Sequence, residues 1–279
     1  MKTNKTLLFL LSFYLFLSCS KDNSSGTSGA PVVDDTPVSG QFQKRVLIED
    51  FTGTWCGYCP RVAYGIDKVM QATTKAVPVA IHQKSGSNDP YDFPGASPLT
   101  AQINLSGFPT GMLNRTITWN YPENANISQP KNLATNNVGL GLAMNSTVTG
   151  GNINLDVKVK FASDYSNLKL VVYVLEDKLI TTQANYTSNL YGSGNVDPLV
   201  NFEENHVLRA CLTDILGDAV TDSTVSGQTV TKNFSVAVPA NISNIANMSF
   251  VAFIVGADKK AINVRSSVPG ENQTFEQNP

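Results

Sequence analysis

Apolar and polar residues follow different periods in the two halves of the chain. In the first half, the apolar run Val46–Ile48 is followed by apolar residues at helical spacing, namely Val62, Ile66 and Val69. From Val138 onward the period is two, and apolar residues occupy every second position between Ile153 and Phe161. We therefore expect an α/β fold over residues 41–136 and an all-β antiparallel sandwich over residues 137–279.

The same pattern predicts individual elements. The first half should contain, in order, a strand, a helix, a strand, a short helix, two paired strands and a closing helix over Asn124–Asn136. The second half should contain five strands, over Ile153–Phe161, Leu168–Leu175, Val230–Val238, Phe250–Val255 and Ile262–Val264. The segment Thr181–Glu204, with its glycines and tyrosines, is predicted to be one long loop that could bind a ligand.

The N-terminus has the pattern of a targeting sequence. Two lysines precede an apolar stretch, Leu7–Leu17, that is too short to span a bilayer, so residues 1–18 are predicted to be a signal peptide. Phe16–Cys19 resembles a bacterial lipobox, which implies lipidation at Cys19 and a membrane anchor; an ordinary cleaved secretory signal is the alternative. Residues 19–40, rich in Ser, Gly, Asp and Pro, are predicted to form a disordered tether.

Composition narrows the classes of function. The chain has 279 residues, 42% of them hydrophobic, and a net charge of -2, which permits a sizeable core and argues against a nucleic-acid surface. The two histidines, His82 and His206, leave little room for metal-dependent or His-based catalysis. We expect no cofactor, no metal and no nucleic-acid partner.

Redox chemistry is the candidate activity. Cys56 and Cys59 are separated by two residues where an apolar strand gives way to a helical pattern, and such a pair can close a reversible disulfide. Cys56 would attack a partner, and Cys59 would resolve the mixed disulfide. This interpretation requires the Cys56 sulfur to be ionised and reachable at the start of the helix. A structural zinc half-site and an idle disulfide remain the alternatives.

The motif Trp55-Cys56-Gly57-Tyr58-Cys59, preceded by Asp50-Phe51 and followed later by Gly107-Phe108-Pro109-Thr110, resembles the thioredoxin superfamily. The resemblance implies a thioredoxin-like domain over residues 41–136. It also implies that Asp50 is a buried acid that accepts a proton from Cys59, and that the Phe108–Pro109 bond is cis. The expected substrate contacts are Trp55, Gly57, Tyr58, Phe108 and Pro109.

A second resemblance covers nearly the whole chain. The lipoprotein signal, the cysteine motif, Asn114-Arg115 and the segment Asn205–Arg209 together resemble the Omp28-related outer-membrane lipoproteins of Bacteroidetes. This implies a lipoprotein of the outer membrane, on its periplasmic face or at the cell surface. His206 and Arg209 are interpreted as residues that hold the fold, His82 as a structural histidine, and Cys211 as a buried apolar side chain that could pair transiently with Cys56.

Two functions from different classes follow. The first is an envelope-anchored thiol-disulfide oxidoreductase, whose partners are protein thiols or disulfides and an unknown redox protein. The second is a non-enzymatic surface lipoprotein that binds a ligand or partner through the β-sandwich and the loop 181–204, with the first half as a scaffold.

Overall fold

The computed structural model describes residues 40–191, 194 and 196–278. The predicted signal peptide, Cys19 and nearly all of the predicted tether lie outside the described residues. Within the described ranges, no helix has both the length and the apolar character needed to cross a membrane. The described chain is mostly strand, with few helices.

The first half has the predicted order of elements, with one additional strand at its start. Its elements are β1 Gln41–Gln43, β2 Val46–Thr52, α1 Pro60–Ala72, β3 Ala76–His82, α2 Ser97–Gln102, β4 Thr110–Leu113, β5 Ile117–Thr118 and α3 Ser128–Leu133. The predicted closing helix is shorter than expected because residues 122–126 form hydrogen-bonded turns instead. Pro130, which has no backbone N–H to donate, lies within the short helix that remains.

The second half contains more strands than predicted. They are β6 Asn137–Val138, β7 Leu140–Thr149, β8 Asn152–Phe161, β9 Lys169–Glu176, β10 Leu179–Gln183, β11 Leu199–Glu204, β12 Val207–Cys211, β13 Asp218–Ala219, β14 Thr229–Ala237, β15 Met248–Val255, β16 Ala261–Ser267 and β17 Gln277–Asn278. The prediction of one loop over Thr181–Glu204 is wrong at both ends, because β10 and β11 pair as an antiparallel hairpin. Most side chains of β11 are exposed or half-buried, so its apolar pattern is weak.

A nine-stranded mixed sheet forms the centre of the molecule. Its order is β16-β15-β9-β12-β3-β2-β4-β5, with β13 paired to β9. Strand β3 pairs in parallel with β2 on one side and with β12 on the other, where Val207 is opposite Ala80. Every residue of β2 and β3 is buried, as expected for strands with both sheet faces covered. The central sheet therefore contains strands from both sides of residue 136. The domain boundary predicted at that residue remains a prediction.

A second, three-stranded antiparallel sheet, ordered β14-β8-β7, packs face to face on β9 and β15. The apolar positions predicted in β8 are all buried, namely Ile153, Leu155, Val157, Val159 and Phe161. The opposite face is exposed only at its start, because Lys158 and Lys160 are buried as well. The apolar residues of β8 pack against apolar side chains of β9 and β15, including Val172, Val174, Phe250 and Ala252. Two stacked sheet faces therefore enclose the core of the second half.

A buried ion pair ties the two halves together. Arg115 Nε lies 3.3 Å from Glu49 Oε1, and the Tyr173 hydroxyl donates to the same oxygen at 3.2 Å. Arg115 also donates to the Ile215 carbonyl at 2.8 Å and lies 4.6 Å from the centre of the Phe253 ring. Burial raises the pKa of Glu49, against the opposing effect of Arg115. These contacts join residues from both halves into one core.

Candidate functional site: a covered disulfide beside an acidic cavity

The two cysteines lie in the turns that connect β2 to α1. They form a disulfide with their Cα atoms 5.3 Å apart. Helix α1 begins at Pro60 with Cys59 as its N-cap, so the expectation that Cys56 occupies the helix start is corrected: Cys56 precedes the helix by one turn. Proline is well suited to the first helical position, because the N–H that it lacks would have no partner there.

Aromatic side chains lie beside the cysteine motif. Trp55 donates from its indole N–H to the Gln83 carbonyl at 2.7 Å. Its ring packs edge-on against Phe108, with ring centres 5.4 Å apart. The Phe108–Pro109 bond is cis, as predicted. Strand β4, which follows directly, pairs Thr110 with Phe51 of β2. The predicted cysteine motif and proline loop therefore meet in space.

Neither sulfur-bearing residue is open to solvent. Cys56 is 3% exposed and Cys59 is 1% exposed. The expectation of a reachable Cys56 is therefore not met in this conformation. The cause is a segment of the second half, residues 183–186, which we call the strap.

The strap pairs with the cysteine motif along its length. The Ala184 N–H donates to the Thr54 carbonyl at 2.9 Å, and the Tyr186 N–H donates to the Gly57 carbonyl at 2.6 Å. The Gln183 side-chain amide donates to the Cys56 carbonyl at 2.9 Å. These bonds lay an extended segment across the motif.

Glycine is required at position 57 by the closeness of the strap. A Cβ atom added there would lie 2.3 Å from the Tyr186 ring, far inside van der Waals contact. Tyr186 also packs edge-on against Tyr58, with ring centres 5.6 Å apart. Both tyrosine side chains remain more than half exposed, at 62% and 55%. Two aromatic rings therefore face solvent directly beside the covered disulfide.

Asp50 lies on β2 and lines a cavity that Cys59 also lines. It is 2% exposed, and its Oδ1 atom has no hydrogen-bond partner among the described residues. Burial, and then the negative charges of Glu204 and Glu123, raises the pKa of Asp50 well above its usual value. The cavity shared with Cys59 has a volume of about 520 Å³. The carboxyl can therefore hold a proton close to the second cysteine.

His82 is linked to the cysteine motif through the Asp89 carboxylate. His82 is fully buried, and its Nδ1 lies 3.0 Å from Asp89 Oδ2, which also accepts from the Thr54 N–H at 2.8 Å. Burial acts to raise the pKa of Asp89, but the hydrogen bond and charge of His82 outweigh it and lower that pKa. His82 Nε2 lies 3.7 Å from Glu204. This agrees with the interpretation of His82 as structural.

The sequence did not predict which distant residues meet the cysteine motif. Gln183, Tyr186 and Glu204 lie in the segment 181–204 that was predicted to be a binding loop, but its contact with the cysteine motif was not predicted, and neither was that of Asp89. Cys211 is half-buried and contacts Thr213 at 3.6 Å. Among the described residues, no group of three or more potential ligands could hold a metal ion.

Comparison with known proteins gives the family. A family model described as outer membrane protein Omp28 matches residues 96–273. The chain belongs to the Omp28 family. The match includes the Phe108–Pro109 loop and Asn205–Arg209, so the predicted Omp28 resemblance is confirmed and supports a location in the cell envelope. The matched region begins after Cys59, so membership of the Omp28 family gives no information about the disulfide.

Solved structures give a likeness of fold. HBP35 of Porphyromonas gingivalis is similar to this Omp28 chain with a TM-score of 0.61 and 19% identity, over 86% of this chain and 81% of that one. At this identity the likeness shows the fold alone. A β-glucosidase from Kluyveromyces marxianus in complex with glucose aligns at a TM-score of 0.22 and 13% identity, over 50% of this chain and 14% of that one, and carries no argument. No curated protein matches the chain.

Proposed function

We propose that this Omp28 protein is an envelope lipoprotein that exchanges disulfides with protein thiols. The observation that carries the proposal is the Cys56–Cys59 disulfide placed beside the proton-holding Asp50, with Cys59 and Asp50 on one cavity. A buried acid with a raised pKa next to a cysteine is suited to proton transfer during exchange. Lipidation at Cys19 would hold the protein at the membrane.

The exchange proceeds in two steps from the reduced pair. The Cys56 thiolate attacks one sulfur of a partner disulfide, so that a Cys56–partner bond forms and the partner's other sulfur leaves as a thiolate. The Cys59 thiol gives its proton to the ionised Asp50 carboxylate and attacks the Cys56 sulfur, which closes the Cys56–Cys59 disulfide and releases the second partner sulfur as a thiolate. Two electrons pass to the partner, and the reverse sequence oxidises a dithiol.

The residues around the disulfide have proposed roles in binding the partner. Trp55, Gly57 and Tyr58 adjoin the cysteines in the chain, the Phe108 ring packs on Trp55, and Pro109 follows Phe108; in the proposal all five contact the partner polypeptide. The parallel pairing of β2 with β3 and the antiparallel pairing of β2 with β4 support a thioredoxin-like arrangement for residues 41–136. That assignment is part of the proposal. Because the strap covers the sulfurs, exchange also requires the strap to move.

Insulin reduction tests the activity. The purified chain is mixed with insulin and dithiothreitol, which supplies the electrons, and precipitation of the insulin B chain is followed by turbidity. We expect the parent chain to accelerate precipitation over dithiothreitol alone, and Cys56→Ser to abolish the acceleration. Cys211→Ser is the matched control and should behave like the parent. A parent chain no faster than Cys56→Ser would refute the proposal.

One observation favours the second candidate, a non-enzymatic lipoprotein that binds a ligand. Both cysteines are almost completely buried, which is typical of a disulfide that only stabilises the fold. On this alternative, a low concentration of dithiothreitol leaves the disulfide of the folded chain intact over hours. Counting free thiols by alkylation and mass spectrometry after such treatment separates the two candidates.

A further inference from the structure

The cavity lined by Asp50 and Cys59 has the size of a ligand site. It lies between α1 and the β10–β11 hairpin, and its volume is about 520 Å³. Sites for small molecules usually enclose roughly 300 to 1,000 Å³. Ile66 of α1 and Leu199 of β11 contribute apolar walls, together with Tyr191, whose ring packs on Phe202 with centres 5.3 Å apart. The cavity can therefore enclose an apolar body.

The polar part of the lining is acidic. Asp50, Asp67, Glu203 and Glu204 contribute four carboxyl groups, and no lysine or arginine is among the described residues that line the cavity. The one histidine of the lining, His206, has its Nδ1 3.2 Å from the Asp177 carboxylate. Within the described lining, the one group that can carry a positive charge is therefore already engaged by Asp177, and outside the lining His82 Nε2 lies 3.7 Å from Glu204 Oε2.

Two of the four acids point to a missing partner. Asp50 is 2% exposed and Glu204 is 6% exposed, and Asp50 Oδ1 and Glu204 Oε1 have no hydrogen-bond partner among the described residues. A buried polar atom without a partner costs about 1 to 3 kcal/mol, and more when it is charged. Burial, aided by neighbouring carboxylates, also raises the pKa of Asp50, Asp67 and Glu204. A bound hydrogen-bond donor with a positive charge would give the unpartnered carboxyl groups a partner and would also stabilise their ionised form.

We propose that this cavity binds a small organic cation, an ammonium or guanidinium group carried on an apolar body. The cationic group donates to the carboxyl groups of Asp50 and Glu204, while the body packs against Ile66, Leu199 and Tyr191. A bare metal ion does not fit, because among the described residues no three of the acidic, histidine or cysteine side chains are placed so that they could hold one. The apolar walls also require a body that a metal ion lacks. Binding does not depend on redox activity, so it holds whether or not the disulfide exchanges.

Calorimetry with three matched probes tests the proposal on the oxidised, full-length chain. Phenethylamine carries the cation, 2-phenylethanol is its neutral counterpart, and 3-phenylpropionate carries the opposite charge. We expect phenethylamine to bind at least about tenfold more tightly than the alcohol, because charge-assisted hydrogen bonds are the stronger ones, and the carboxylate not to bind. A capped Ala-Lys-Ala peptide as a fourth probe distinguishes a lysine side chain of a polypeptide from a free amine as the natural source of the cation.

Variants locate the binding. Glu204→Gln should weaken phenethylamine binding about tenfold or more, and Asp50→Asn provides a second, independent test should the first variant fold poorly. Glu271→Gln, on a residue outside the cavity lining, should leave the affinity unchanged. The proposal is overturned if phenethylamine and 2-phenylethanol bind equally, if neither binds at millimolar concentration, or if a folded Glu204→Gln or Asp50→Asn binds the amine as the parent does.

Discussion

The strap should control how fast the disulfide is reduced, and Gln183 is the residue to change. Its amide donates to the Cys56 carbonyl at 2.9 Å and lies 3.4 Å from the Gly53 carbonyl. Gln183 is 2% exposed, and Gln183→Ala removes these side-chain bonds. The Cys56 carbonyl keeps the Cys59 N–H as a donor and the Gly53 carbonyl keeps the Cys56 N–H, so no carbonyl is left without a partner. From the usual net contribution of a hydrogen bond, closure of the strap should be weakened by about 0.5 to 1.5 kcal/mol.

Weaker closure of the strap should raise the rate at which the disulfide is reduced. If dithiothreitol reaches the sulfurs only when the strap is open, the reduction rate follows the population of the open form. A change of about 0.5 to 1.5 kcal/mol corresponds to roughly 2- to 10-fold faster reduction. The assay treats the folded chain with dithiothreitol, quenches with acid at intervals, and counts alkylated cysteines by mass spectrometry. Cys211 contributes a constant background.

Gln273→Ala is the matched control. Gln273 also holds two backbone groups, accepting from the Met144 N–H and donating to the Ser266 carbonyl, but both lie in the second half away from the strap. If Gln183→Ala is reduced no faster than Gln273→Ala, the strap does not limit access. Reduction of both variants at equally raised rates would assign the effect to general destabilisation and would also refute the reasoning.

Gly57→Ala tests the same contact from the opposite side. The added methyl overlaps the Tyr186 ring, so the strap should be pushed away and reduction should accelerate. In a Tyr186→Ala background the overlap is gone, so Gly57→Ala should then have little further effect. Equal acceleration by Gly57→Ala in both backgrounds would contradict this explanation.

Two further predictions concern buried charge. Arg115→Met should lower the free energy of unfolding, measured in urea, by about 3 to 5 kcal/mol, because it leaves the buried Glu49 without its positively charged partner. Lys84→Ala removes an exposed ion pair and should cost less than about 1 kcal/mol. Equal losses in the two variants would contradict this prediction. Asp50 binds its proton more tightly in the folded chain, so its contribution to stability is present below its unfolded pKa and is lost as pH rises through its raised folded pKa. Asp50→Asn should therefore gain melting temperature relative to the parent as pH increases, and a difference constant with pH would refute this.

The parts of the site that were predictable from the sequence are contiguous in the chain. The cysteine motif and the Phe108–Pro109 loop each carry their signal within a few residues, and the structure brings them together through the Trp55–Phe108 contact. The strap was missed because Gln183 is 127 residues from Cys56, and its position depends on how the β10–β11 hairpin folds over α1. Nothing in the local pattern around Gln183 encodes that distant pairing.

The fold was predictable where apolar residues alternate without interruption. Strand β8 has such a pattern and was found, whereas its neighbour β7 was missed. Leu140, Leu142 and Met144 of β7 also alternate, but Gly141, a weak strand former, lies between the first two. Gly141 lies against the Phe42 ring, where an added Cβ would be 2.3 Å away, so tertiary packing selects glycine over a β-former. The joining of β12 to β3 in the central sheet likewise depends on a single long-range pairing.

The equilibrium reduction potential of the Cys56–Cys59 pair tests the central claim most directly. The folded chain is equilibrated in dithiothreitol or glutathione buffers of defined potential, and free thiols are counted after quenching. The account predicts one reversible two-electron transition, at roughly −120 to −270 mV, the range of proteins that exchange disulfides. A pair that stays oxidised below about −300 mV while the chain remains folded would contradict it, and would leave a disulfide that serves only the fold.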